Sequence, residues 1–353
     1  MREDVIRHSE ADENAAAKPP WLVDRLKWFT SLEFGIILHW GLYAFWDCCE
    51  SWPLVPEDTW ARNPGMKCWA DRDFDMVRFQ QDYWNLIKQF NPIHFDPKAW
   101  AQTFVDAGAK YVCFTTKHHD GFCMWDTQTT DYKITGPDCP FHTDPRADVT
   151  KALFNACRAA GLGISVYFSK ADWHCPYYWA PDPVPFGRGA NTVDNAAEWE
   201  KFVQYTHAQI RELLTHYGPI DILWLDAGWV KGKEDIRMGE IVEFGRQLQP
   251  GLLVANRTVG EFEDFITPER EIPEEGLGQP WEACLPLNPD WKYTEGQTGK
   301  SAEEVVEELR VTNARGGNFL LGIGPKPDGT LPEEAISKLK EIGRLRKTRK
   351  VQS

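Results

Sequence analysis

Asp226 ends the apolar run IDILWLD at positions 220–226, and its type and setting point most directly to chemistry. A carboxylate at the end of so apolar a stretch is costly to desolvate unless it is paired or hydrogen-bonded. Groups held in that way are the ones proteins use as nucleophiles, acids and bases. The competing role is structural, as N-cap of a following helix. Other polar clusters also stand directly after apolar runs: His39 with Trp40; Lys117, His118, His119 and Asp120; Asp172, Trp173 and His174; Asn256 and Arg257. The adjacent imidazoles His118 and His119 invite a zinc reading. Neighbours on a strand face opposite sides, however, which makes them a poor chelating pair, and no H-E-x-x-H or C-x-x-C pattern stands elsewhere to complete a site. They read instead as hydrogen-bonding groups for substrate hydroxyls, with a core role for one of them as the alternative.

Two carboxyl groups about 5 to 5.5 Å apart can cleave a glycosidic bond with retention, one attacking the anomeric carbon while the other protonates the leaving oxygen. A partner for Asp226 has to come from the later loops. There the stretch 260–284 supplies Glu261, Glu263, Asp264, Glu269, Glu271, Glu274, Glu275 and Glu282. Side-chain chemistry alone does not choose among them.

Positioning such groups is the task of the elements before and between them. Apolar runs at 34–40, 110–116, 162–169, 220–226, 252–256 and 318–324 read as strands. Helix-like stretches stand between them, opening on Pro97 and spanning roughly 195–216, with AEEVVEELRVTNA before the last strand and a closing helix opened by Pro332. Strands alternating with helices make a parallel sheet buried on both faces. Chemistry-bearing residues at the ends of many strands, with no Gly-rich phosphate loop after the first, favour a (β/α)8-type barrel over an open doubly wound sheet. The expected organisation is a polar N-terminal extension at 1–20 and one catalytic barrel at 21–353.

The 353 residues suffice for one large barrel, and no apolar run approaches the roughly 20 residues that span a bilayer. The formal charge of -14 argues against nucleic acid or an anionic surface as partner. Seventeen tryptophans, many of them beside acidic or loop-like residues, suit a site where flat rings pack against a sugar. Nine scattered cysteines are expected as buried free thiols. The polar, acidic first twenty residues lack the apolar core of a secretory signal, which points to a cytoplasmic enzyme.

The motifs together resemble the α-L-fucosidase family of retaining glycoside hydrolases, over nearly the whole chain. FGIILHWGLYAF is similar to the family's opening strand, whose histidine, here His39, touches fucose. TTKHHDGFCMWD resembles its most distinctive motif and implies that His118 and His119 stand in the sugar site. LWLDAGW resembles the nucleophile motif, so the resemblance implies Asp226, with Trp224 beside it as a substrate contact; ANRTVG implies Arg257 as a fucose-binding arginine. ITPERE implies Glu269 as acid/base, and PWEAC with WKY implies Glu282, as the alternative acid/base or a substrate contact, and Trp291 as a ring lining the pocket. Glu50-Ser51-Trp52 stands where members often have an adjacent Glu-Trp pair, and Tyr167-Phe168-Ser169 where they usually have Tyr-Tyr-Ser; Glu50, Trp52 and Tyr167 are expected substrate contacts on that ground. Many members carry a C-terminal β-sandwich, and this chain stops at Ser353, so a homo-oligomer is expected to cover the surface. The resemblance implies hydrolysis of fucosylated oligosaccharides through a fucosyl-Asp226 intermediate, with no metal and no organic cofactor. A catalytically inactive fucose-binding protein, a transfucosidase and a metal-dependent hydrolase are the alternatives.

Overall fold

Runs that are apolar at every position become strands here because a parallel sheet covered by helices buries both faces. A computed structural model describes residues 18–180, 190–257 and 260–352. Its strands are β1 Phe34–Leu38, β2 Tyr111–Lys117, β3 Gly163–Ser169, β4 Ile222–Asp226, β5 Leu253–Val254, β6 Glu282–Pro286 and β7 Asn318–Ile323. The helices are α1 Pro20–Thr30, α2 Lys67–Ala70, α3 Met76–Trp84, α4 Pro97–Ala107, α5 Val149–Ala159, α6 Ala196–His216, α7 Met238–Leu248, α8 Ala302–Ala314 and α9 Glu333–Gln352. Most of the expected N-terminal extension, residues 1–17, and positions 181–189 of the proline-rich loop lie outside the described residues, as do Thr258 and Val259 of the ANRTVG motif.

All strand pairs are parallel, in the order β5-β4-β3-β2-β1-β7-β6. Seven strands are present among the described residues, one fewer than the eight expected. The two edges are linked by the extended segment 265–269, which makes isolated parallel bridges from Phe265 to Ala255 and from Ile266 and Glu269 to Trp281 and Cys284. Pro268 interrupts that segment, and a residue without an N–H cannot sustain a continuous ladder.

Side chains alternate strictly between two cores, which shows how the sheet curls. Ile36, Leu38, Val112, Phe114, Val166, Phe168, Leu223, Leu225, Phe319 and Leu321 pack outward in the large core shared with the helices. Ile37, Tyr111, Cys113, Tyr167, Ile222, Trp224, Cys284 and Leu320 point inward into a separate core, joined by Leu22, Leu26 and Phe29 of α1. The Phe29 ring lies 4.2 Å from that of Phe265, so α1 closes the end of the curled sheet opposite the strands' C-termini. Inner space is tight: a Cβ on Gly35 would lie 2.4 Å from the Tyr111 ring, so only glycine leaves room for that phenol.

Helix starts follow local chemistry. Asp96 caps α4 ahead of Pro97, Asn195 caps α6, and Ser301 with Glu304 forms a capping box at α8. The nine cysteines are all free thiols, buried except for the partly exposed Cys49.

Candidate active site

Asp226 is the last residue of β4, and its side chain keeps 20 % of its surface exposed at the mouth of the curled sheet. The next α-helix, α7, begins twelve residues later and is preceded by Arg237, so the N-cap role does not apply to Asp226. The Tyr167 hydroxyl, two residues before the end of β3, donates to Asp226 Oδ2 at 2.6 Å. Arg257 Nη1 stands 3.8 Å from Oδ1 and His119 Nε2 stands 3.8 Å from Oδ2. Burial works against the charge, but the Arg257 guanidinium, His119 and the Tyr167 hydrogen bond outweigh it and hold the carboxyl well below the usual carboxylate range. Ala227, directly after it, adopts φ 73°, a left-handed conformation that a non-glycine residue takes only at a cost of about 1–2 kcal/mol.

The cavity over Asp226 encloses about 380 Å³, within the size range of small-molecule sites. His39, Glu50, Trp52, His118, His119, Tyr167, Trp224, Asp226, Arg257, Glu269 and Trp291 all line it. Every substrate-contact residue expected from the sequence is therefore brought to one place, along with Asp226 and Glu269. Glu282 is not.

His118 and His119 share the cavity, with ring centroids 4.1 Å apart, although strand alternation would send them to opposite sides. The reason is local: β2 ends at Lys117 after a register shift between Thr115 and Lys117, so both imidazoles lie beyond the regular pleat. Each Nδ1 is tied down at 2.6 Å, that of His118 to Ser51 Oγ and that of His119 to Ser169 Oγ. Ser169 gives its proton to the Ala171 carbonyl, so it can only accept from His119, which fixes Nδ1 as the protonated nitrogen of that ring. Burial lowers the pKa of His118 to about 4, with Asp226 opposing the shift. Burial likewise holds His39 well below the usual imidazole range. Among the described residues no group of three or more metal-ligating side chains could hold a metal ion.

Arg257 joins the two sides of the site. Its guanidinium lies 4.0 Å from the centroid of the Trp224 ring, and Nη1 donates to Glu269 Oε2 at 2.9 Å. Because that same nitrogen is 3.8 Å from Asp226 Oδ1, the two carboxylate oxygens are separated by at most those two lengths laid end to end, about 6.7 Å. Glu269 arrives through its isolated bridge to Cys284, and its side chain is 33 % exposed.

Glu50 lines the cavity by an unusual route. It sits at φ 40°, and its Oε1 accepts from the backbone N–H groups of Trp291 and Lys292, at 3.1 and 3.2 Å. It thereby pins the loop that stacks Trp291 on His39 at 5.0 Å. Gly322 permits this placement, since a Cβ there would lie 2.6 Å from the Trp291 ring.

Glu282, the first residue of β6, is buried beneath the cavity floor, where Tyr111 Oη and Trp224 Nε1 donate to its two oxygens at 2.5 and 3.1 Å. Burial pushes its carboxyl from 4.5 up to about 7, against the two hydrogen bonds and the Arg257 charge, which favour the anion. A raised carboxyl pKa means that the folded protein keeps a proton the unfolded chain has released. Its burial therefore costs nothing in ionisation below pH 4.5 and becomes increasingly destabilising as pH rises towards 7. Glu282→Gln removes that titration, so its melting temperature relative to the wild type should climb by a few degrees between pH 4.5 and pH 8. A constant difference across that range would show that the carboxyl does not titrate there.

Several strand-end groups serve behind the site. Lys117 makes a fully buried ion pair with Asp172 at 3.0 Å, Asp120 accepts from Tyr83 at 2.6 Å, His174 stacks on Tyr132, and Asn256 binds Thr267. Sequence reasoning did not single out Trp229 and Lys231 as site residues, yet both line the cavity. The signal was available, for Trp229 stands three residues after Asp226 in the same DAGW motif.

A parallel sheet curled around an inner core, with carboxylates, imidazoles and indoles gathered over its C-terminal mouth, makes the chain a TIM-like α/β protein with its site where enzymes of that class hold theirs. Residues 7–349 match the α-L-fucosidase family, and the chain belongs to that family of glycoside hydrolases. The α-L-fucosidase of Dictyostelium discoideum is 25 % identical over 337 residues, 90 % of this chain and 68 % of its own length. The tissue α-L-fucosidase of Rattus norvegicus is 26 % identical over 344 residues, with 90 % and 67 % covered. The chain thus spans about two thirds of the length of these curated relatives. Among solved structures, α-L-fucosidase isoenzyme 1 from Paenibacillus thiaminolyticus superposes with a TM-score of 0.76 at 34 % identity, over 93 % of this chain and 76 % of the other. The α-L-fucosidase AlfC from Lactobacillus casei, solved with α-L-fucose as product, gives 0.72 at 26 % identity, over 93 % and 99 %.

Proposed function

We propose that the protein hydrolyses terminal α-L-fucosyl linkages of oligosaccharides or glycoconjugates with retention, Asp226 acting as nucleophile and Glu269 as acid/base. The observation that carries this reading is the sharing of Arg257 Nη1 between those two carboxylates. It keeps one oxygen of each carboxylate within about 6.7 Å of the other, a spacing compatible with the roughly 5–5.5 Å of retaining enzymes. Of the three cavity carboxylates, Glu50 is held by backbone N–H groups and Asp226 by Tyr167, whereas Glu269 is the more exposed and takes its 2.9 Å bond from Arg257 on Oε2, which favours it for proton transfer.

Asp226 is ionised and oriented for attack on the anomeric carbon. As its oxygen bonds to that carbon, Glu269 gives its proton to the leaving oxygen; a water then attacks the β-linked fucosyl ester, returning its proton to Glu269 and restoring the α configuration. His39, whose Nδ1 has no hydrogen-bond partner among the described residues, holds hydroxyls together with His118, His119 and Arg257. The C6 methyl of fucose lies against the surrounding indoles. Glu282 acts through Trp224, which supports Arg257 on one side and stacks on Tyr167 at 5.3 Å.

NMR of the first product released from an aryl α-L-fucoside is expected to show the α anomer before mutarotation, and a slow 2-fluorinated fucosyl reagent is expected to add its mass to the peptide containing Asp226. A β anomer appearing first, or a label on another side chain, overturns the assignment.

A further inference from the structure

The wall of the fucose cavity does not stop at Trp52. The Trp60 ring meets it at 5.7 Å between centroids and 51°, beyond the cavity lining, and Trp60 is 60 % exposed. An exposed indole is ordinarily free to change rotamer, but this one is held. Its Nε1 donates to Asp58 Oδ1 at 3.0 Å, and it sits in the short 3-10 turn Thr59–Ala61. The loop beneath is stapled by Arg62, whose guanidinium donates to the carbonyls of Pro53, Val55 and Pro56. Trp52 is fixed from the other side, 4.8 Å from His119 and 5.4 Å from Trp229. Two tryptophans therefore form a step from the cavity floor to the surface, the outer one oriented and uncovered. A flat apolar face with an ordered edge is what the C–H face of a pyranose packs against, and holding it in place beforehand lowers the ordering cost of binding.

We propose that Trp60, with the outer edge of Trp52, forms the leaving-group subsite: a platform for the sugar to which fucose is attached. This rests on the fucosidase reading above. A second sugar seated there contacts Trp60 through its C–H face, whereas a leaving group without a ring contacts nothing.

The test compares wild type and Trp60→Ala on α-L-fucosyl fluoride, whose leaving group has no ring, and on fucosyl disaccharides of each linkage. The variant is expected to lose about tenfold in kcat/KM on the preferred disaccharide, mainly through KM, the size of effect that one stacked ring supplies. It should keep wild-type kcat/KM on the fluoride, and Trp60→Phe should recover most of the loss. Equal losses on fluoride and disaccharide would mean that Trp60 supports the fold or the fucose cavity, and no loss on any disaccharide would mean that it touches no substrate; either overturns the platform alone. A wild type that turns over the fluoride but no disaccharide does the same. Failure of the wild type on the fluoride overturns the fucosidase reading itself and the platform with it.

Discussion

Asp226→Ala is expected to lower kcat/KM on an aryl α-L-fucoside by about 10⁴-fold or more, the scale of losing a covalent nucleophile. The variant should remain folded, because Arg257 keeps its 2.9 Å partner Glu269 and its contact with Trp224. Added azide is expected to restore part of the rate by occupying the space the carboxylate vacates. It then attacks the anomeric carbon from the face opposite the leaving group and gives the inverted product, β-fucosyl azide. An α-azide, or a variant that retains a tenth of the wild-type activity, would place the nucleophile elsewhere.

Glu269→Ala should produce a different pattern. Loss of a general acid costs about 10²–10⁴-fold, and the cost grows with how badly the leaving oxygen needs a proton. Disaccharides are therefore expected to suffer the full loss, and an aryl fucoside with an acidic phenol much less in its first step. The covalent intermediate then accumulates for want of a base. Azide needs no base, so it should accelerate turnover and give the retained α-fucosyl azide. The same rescue at Glu282 and not at Glu269 would reverse the two roles. The structure speaks against that outcome, since Glu282 is buried with both oxygens bound by Tyr111 and Trp224, away from the cavity surface.

These two carboxylates show where sequence reading succeeds and where it stops. The runs around 34–40, 110–116, 162–169, 220–226 and 318–324 were legible as strands because they are buried on both faces and therefore apolar throughout. Asp226 was legible with them, as a charge at the end of such a run. The choice between Glu269 and Glu282 was not. Glu269 reaches the cavity through one isolated bridge in a proline-interrupted segment too short to carry a period. Glu282 opens a five-residue strand, β6, whose sequence begins on a carboxylate and ends on a proline and so does not read as a continuous apolar run. Helices α1, α2, α3 and α7 went unnoticed: α1 follows a polar stretch, and α2 and α3 lie within the tryptophan-rich excursion, where indoles blur the helical spacing. Alternation misled at His118 and His119, since it holds only while the strand lasts. Ser51 and Ser169 stand in motifs read from the sequence, but nothing there pairs them with His118 and His119, for a serine near a histidine in space need not be near it in the chain.

Helix α1 seats Leu22, Leu26 and Phe29 in the inner core, so the curled sheet is a cup and not a tube. Among the described residues the end at α1 is closed, and the cavity opens at the strands' C-terminal mouth. On the proposed chemistry, the departing alcohol and the incoming water have to share one passage, and the second step waits until the first product has cleared it. An alcohol that lingers on the Trp52 and Trp60 step stands where that water must come, and is itself placed to take the fucosyl group back.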